Sequence, residues 1–65
     1  MISSNIKAVD YDEFEKRLEI EFKNGISFFY YLVDEVTFQN FLQSESKGKF
    51  YNRFVKGKFP SEKEI

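Results

Sequence analysis

The chain has 65 residues, a formal net charge of -1, and neither cysteine nor histidine. That length supports a single small domain, one that buries only about 60% of the surface its unfolded form exposes. Without cysteine there is no disulfide framework or thiolate zinc site. Without histidine the commonest metal ligand and the usual general base are missing, so neither metal, cofactor nor catalytic constellation is expected. No apolar run approaches about 18 residues and no signal-peptide pattern opens the chain, which points to a cytoplasmic domain with no membrane span.

The ordered core is expected from about residue 3 to residue 60 of one domain, 1–65. Met1–Asn5 is polar and frays unless it extends the first strand. Ile6–Tyr11 alternates loosely and reads as a strand, followed by an acidic turn over Asp12–Lys16 with Phe14 near its tip. Arg17–Phe22 alternates cleanly: Leu18, Ile20 and Phe22 face one way, Glu19 and Glu21 the other. Asn24-Gly25 then marks a hairpin, because both residues tolerate positive φ. Ile26–Tyr31 is the third strand.

The turn at Asn24-Gly25 decides which aromatic residues are buried. A two-residue loop pairs Phe22 with Ser27 and sets Phe28 and Tyr30 opposite Glu21 and Glu19, on the wet face. A three-residue loop with Gly25 in the left-handed position pairs Ile20 with Phe28 and Leu18 with Tyr30. This second register matches apolar to apolar throughout and is the one expected. It leaves Phe29, opposite Glu19, and Tyr31 on the outer side, where they form a candidate interaction patch for a partner or a homodimer.

Asp34 reads as a helix N-cap, with Phe38, Phe41 and Leu42 on one helical stripe that ends near Gln43 or Ser44. Ser46 caps a second stretch whose apolar stripe is Phe50, Tyr51, Phe54 and Val55. Gly57 and Pro60 stop it, and residues 61–65 are expected to be a mobile tail. The fold class is α+β: a three-stranded antiparallel β-meander followed by one or two short helices packed on one face.

This order of features resembles the KTSC domain family. The resemblance rests on Ser4-Asn5-Ile6 leading to Tyr11-Asp12, and on Leu18-x-Ile20-x-Phe22-x-Asn24-Gly25. It continues through Ser46-Lys47-Gly48, Phe50-Tyr51-Asn52-Arg53-Phe54-Val55 and the late aromatic Phe59. Where the family carries tyrosine–any–tyrosine, this chain has Phe28-Phe29-Tyr30, which keeps a packing role at the first position and removes its hydroxyl. The family occurs alone in bacteria and at the C-terminus of some lysyl-tRNA synthetases. It implies no particular reaction, and its synthetase context suggests RNA.

Charge is segregated along the chain. Residues 1–45 hold nine acids and four bases, whereas residues 46–59 hold five bases and no acid. Two readings of the basic stretch stand. In one it is a binding surface for RNA or another phosphate-bearing ligand. Ser46, Lys47, Lys49, Arg53, Lys56 and Lys58 then supply the anion contacts, and Tyr51 or Phe59 stacks a base. In the other it is a solvated face whose aromatic residues pack the core and whose cations balance the molecule's own acids. A small accessory protein that sequesters a nucleotide-like ligand would share the first chemistry. The acidic residues Asp10, Asp12, Glu13, Glu15, Glu19 and Glu21 lack the spacing of a calcium loop and read as solvated surface.

Overall fold

The computed structural model describes residues 5–64. Of the expected fraying at Met1–Asn5, only Asn5 falls among the described residues; Ile65 lies outside them too. Four strands form one antiparallel sheet in chain order: β1 (Ile6–Asp12), β2 (Arg17–Phe22), β3 (Ser27–Tyr30) and β4 (Ser61–Lys63). Between β3 and β4 lie α1 (Glu35–Gln43) and α2 (Lys47–Phe50), the latter running on into a π-helical turn over Tyr51–Val55.

The β2–β3 hairpin adopts the three-residue turn. Phe22 donates its N–H to the Ile26 carbonyl at 2.8 Å, and Gly25 donates to the Phe22 carbonyl at 2.9 Å. Gly25 sits at φ 89°, a conformation that glycine reaches without steric cost. Leu18 therefore pairs with Tyr30, Ile20 with Phe28, Glu19 with Phe29 and Glu21 with Ser27. One face of the sheet is apolar and the other carries carboxylates.

β1 reaches the same result by another route. Its register shifts between Ile6 and Ala8: Ile6 pairs with Phe22, but Ala8 pairs with Glu21. The extra residue, Lys7, is a bulge, which bends the strand and changes the phase of its side chains. Ile6 and Val9, three positions apart, thus share the inner face with Tyr11, all packed against the core.

The centre of the core is Leu18, Ile20, Tyr30, Val33, Phe41 and Val55. Helix α1 is fixed to the sheet by Tyr11, whose ring stacks on Phe38 at 4.4 Å and whose hydroxyl donates to the Val33 carbonyl at 2.6 Å. Asp34 is the N-cap as expected, accepting from the Thr37 N–H. Ser44 ends the helix in extended backbone, and Ser46 caps α2 by accepting from the Lys49 N–H at 3.3 Å.

Two expectations are corrected here. The sheet has four strands, because residues 61–63 are β4 and not loose tail. An unpaired β3 edge would leave a row of backbone donors and acceptors without partners. The terminal segment fills that row: Tyr31 donates to the Pro60 carbonyl and Glu64 to the Ser27 carbonyl, each at 2.8 Å. Ser-Glu-Lys has no hydrophobic alternation, so no strand signal was present to read. The second correction concerns Phe54, expected in the inward stripe of the second helix but 51% exposed. The π-helical turn winds wider than an α-helix, so it is Val55 that returns to the core beneath Phe50 and Tyr51.

Gly25→Ala would place its methyl where no atom lies within 4 Å, so only backbone strain is added. A loss of about 1 kcal/mol is expected, read as a lower urea midpoint at unchanged denaturant slope. Hydrogen bonds from Thr37 hold the Asp34 carboxyl below its usual pKa of 3.8. Its stabilisation is present above that value and is lost as pH falls through the lower folded-state value. Asp34→Ala should therefore lower the thermal midpoint at neutral pH, and the gap from the parent should close under strongly acidic conditions.

Candidate ligand cleft

Where the start of β1 and the end of β2 meet the second helix, the structure opens a cleft of about 610 Å³. Its aromatic lining comes from three elements: Phe22 at the end of β2, Phe28 in β3 and Tyr51 at the head of the π-helical turn. Lys49 and Lys56 line the helical side, with Gly48 and Asn52, while Asn5 and Ile6 close the opposite rim. The β1 bulge explains the presence of Ile6. The π-helical turn, closed by the Lys56 N–H to the Tyr51 carbonyl at 2.8 Å, brings Lys56 to the same cleft as Lys49. Single π-helical turns inside helices are frequent at functional sites.

The aromatic rings hold each other in place. Phe22 meets Tyr51 edge to face at 5.4 Å and Phe28 at 6.2 Å. Tyr51 in turn meets Tyr30 at 5.8 Å, and the two hydroxyls share a hydrogen bond. Burial, and then that bond, push the Tyr30 phenol well above its ordinary pKa, so it stays protonated through the physiological range. Tyr51 is thus a strut between sheet and helix as well as part of the cleft lining.

The basic stretch divides. Lys49, Tyr51 and Lys56 line the cleft, and Arg53 shares a shallow depression beside it with Lys49 and Asn52. Ser46 stands behind them as the helix cap. Lys47 turns away and donates to the carbonyls of Leu42 (3.1 Å) and Ser44 (3.5 Å), where it favourably meets the negative end of α1. Lys58 follows Gly57 outside the cleft, and Phe59 is packed against the core. Among the described residues, none of the five cations of the stretch forms an ion pair. The ion pairs among the described residues, Lys7–Glu21 and Arg17–Asp12, each at 3.7 Å, join residues of the β1–β2 hairpin.

Phe28, expected on the buried face with Tyr30, packs against the core as a partly buried residue and also lines the cleft. Asn5, Phe22, Lys23 and Asn24 border an adjoining depression, which adds a further cation to the rim. Asn52 falls within the basic stretch 46–59, whereas Asn5, Ile6, Phe22, Lys23 and Phe28 were not expected at the ligand site. They come from distant chain positions and carry no local signal that marks them as a set.

The outer patch is less bare than its sequence suggested. Phe29 lies beneath the Arg17 guanidinium at 5.3 Å, and Tyr31 donates its hydroxyl to Glu62 of β4 at 2.9 Å. The same face carries Asp10, Glu19, Glu21, Glu62 and Glu64. The neighbouring Glu64 carboxyl, then partial burial and the charge of Asp10, raise the pKa of Glu19. Among the described residues no group of three acidic side chains is placed to hold a metal ion, and no helix is long and apolar enough to cross a membrane.

The KTSC domain family model matches residues 2–59. A protein of Tsukamurella paurometabola is 40% identical over 57 residues, covering 88% of this chain and 85% of the relative. The lysine–tRNA ligase of Nostoc punctiforme is 36% identical over 59 residues, which cover 91% of this chain and 10% of the ligase. The crystal structure of a KTSC domain protein from Yersinia pestis superposes with a TM-score of 0.88 at 38% identity, covering 98% of this chain and 92% of that one.

The Tyr30–Tyr51 hydroxyl pair yields a double-mutant test. Tyr51→Phe strands the buried Tyr30 hydroxyl and should cost about 1–3 kcal/mol in chemical denaturation. Adding Tyr30→Phe removes the orphan and should recover part of that loss. Strict additivity of the two substitutions would show that the hydroxyls are not coupled.

Proposed function

This chain belongs to the KTSC domain family, and we propose that it is a non-enzymatic binding module whose cleft takes a phosphate-bearing ligand, single-stranded RNA foremost. The observation that carries the reading is the convergence of aromatic rings, two side-chain amides and two lysines in one concavity. Those lysines have no ion-pair partner among the described residues. A cleft of about 610 Å³ falls in the range that encloses a small organic ligand. It has room for one unstacked nucleotide. Phe22 and Phe28 offer apolar contact to the base, Asn5 and Asn52 offer donors and acceptors to its edge, and Lys49 and Lys56 meet phosphate. Arg53 and Lys23 extend the positive field along a strand.

Single strands are favoured over duplexes for two reasons. Among the described residues, the cations that line concave surface on the helical side gather at one cleft and its two flanking depressions, a footprint too short to follow a double helix. Splayed bases, moreover, are what aromatic clefts recognise. One relative is named for a reaction with tRNA and carries this domain as a tenth of its length, which supports an RNA-directed role. The cytoplasm is the compartment that supplies such a ligand.

Binding of a labelled single-stranded oligoribonucleotide, followed by fluorescence anisotropy, tests the proposal. Affinity should fall steeply with salt. Lys49→Ala with Lys56→Ala should lessen the slope of log K against log salt by about 1.4, the share of two phosphate contacts on a single strand. Lys47→Ala with Lys58→Ala, outside the cleft, should change it much less. No detectable binding at roughly 50 mM salt, where phosphate contacts are strongest, or equal effects of the two variant pairs, would overturn it.

A further inference from the structure

The β1–β2 turn is the most conspicuous surface feature that the cleft does not use. Phe14 stands at its tip with 90% of its surface exposed. The turn is held firmly: Asp12 accepts from the N–H groups of Phe14 (3.0 Å) and Glu15 (3.2 Å) through one carboxylate oxygen. Lys16 takes a left-handed conformation at φ 55°, and its carbonyl accepts from Val33 at 2.9 Å. That bond joins the turn to the β3–α1 loop, where Leu32 is also left-handed, at φ 64°, and 69% exposed. The result is a braced projection bearing an aromatic ring between two carboxylates, Glu13 and Glu15.

Its chemistry is complementary to the cleft. An aromatic ring flanked by two acids at one end of the molecule matches, at the other end, aromatic rings flanked by two lysines that have no ion-pair partner among the described residues. The two features sit at opposite ends of the β1–β2 hairpin, since the cleft borders Ile6 and Phe22 whereas the tip follows Asp12 and precedes Arg17. Strands of this length span roughly 20 Å, so a tip cannot enter its own cleft. We infer that the Glu13-Phe14-Glu15 tip of one copy occupies the cleft of a second copy, and that two copies lie antiparallel about a two-fold axis with both tips inserted.

A two-fold arrangement satisfies both tips and both clefts at once and leaves no open end for further addition. Phe14 is the anchor, seated among Phe22, Phe28 and Tyr51. Glu13 and Glu15 meet Lys49 and Lys56 at the rim. The inference uses the proposed ligand's cleft and not the ligand itself. It goes beyond that reading by making self-association and phosphate-ligand binding mutually exclusive.

A charge-swap experiment on the full chain tests it, with sedimentation equilibrium over roughly 0.01–1 mM protein, where small interfaces associate. The parent should dimerise, and Phe14→Ser should raise the dimer dissociation constant about tenfold or more. Glu13→Lys with Glu15→Lys should give a monomer, as should Lys49→Glu with Lys56→Glu. Mixing these two variants restores opposite charge at both contacts and should give a heterodimer. All five altered side chains are exposed, and an unchanged thermal midpoint confirms that each variant is folded. A strictly monomeric parent, an unaltered dimer in Phe14→Ser, or a mixture that stays monomeric would overturn the inference. Phe14→Ser should also retain or improve oligoribonucleotide affinity. If the parent dimerises through Phe14 and no oligoribonucleotide binds, the dimer stands and the RNA reading falls.

Discussion

Phe22 donates its N–H to the Ile26 carbonyl across three residues, with Gly25 left-handed between them. Everything else in the molecule depends on that pairing. A strand shifted by one position would turn Phe28 and Tyr30 outward and carry Phe29 inward. The core would then lose Tyr30, and the cleft would lose Phe28. The helix would have no hydroxyl on the sheet to meet Tyr51. The turn and the bulge at Lys7 act together, since the bulge brings Ile6 and Val9 onto the face that the hairpin has already made apolar.

Charge follows the same division. The sheet presents Asp10, Glu19, Glu21, Glu62 and Glu64 on the face away from the helices, while Lys49 and Lys56 line the cleft on the helical side. Ion pairing within the β1–β2 hairpin uses Lys7 and Arg17, so the cations of the second helix keep their field. The five cations of the basic stretch do not all lie on one surface. Lys47 serves the end of α1, Lys58 lies past Gly57, and three of the five cations lie in or beside the cleft. For the ligand proposed above, a short concave site of this kind suits one nucleotide better than an extended duplex.

The second helix shows how small a change in winding moves a site. Read as a regular α-helix, its stripe would bury Phe54. The π-helical turn over Tyr51–Val55 instead sends Val55 to the core, leaves Phe54 half exposed against Phe50, and closes on Lys56. β4 is a similar case of tertiary demand. Three polar residues with no preference for extended structure become a strand because the β3 edge offers unpaired backbone groups.

The local elements were legible in the sequence. Alternation in Arg17–Phe22, the Asn24-Gly25 turn, and the caps at Asp34 and Ser46 each depend on residues within a few positions of one another. Such short-range preferences suffice to specify strand, turn and helix start, and the match of apolar to apolar residues then chose the hairpin register. The cleft could not be read this way. Lys49 and Lys56 stand out in the basic stretch, but Asn5, Phe22 and Phe28 share no period with them; they meet because a bulge rephases one strand and a wide turn rephases one helix. Side-chain phase at a bulge or a π-helical turn is set by packing against neighbours distant in the chain. The sequence therefore determined which residues were apolar or charged and which segments were extended or helical. The tertiary structure alone decided which of them face one another across the cleft.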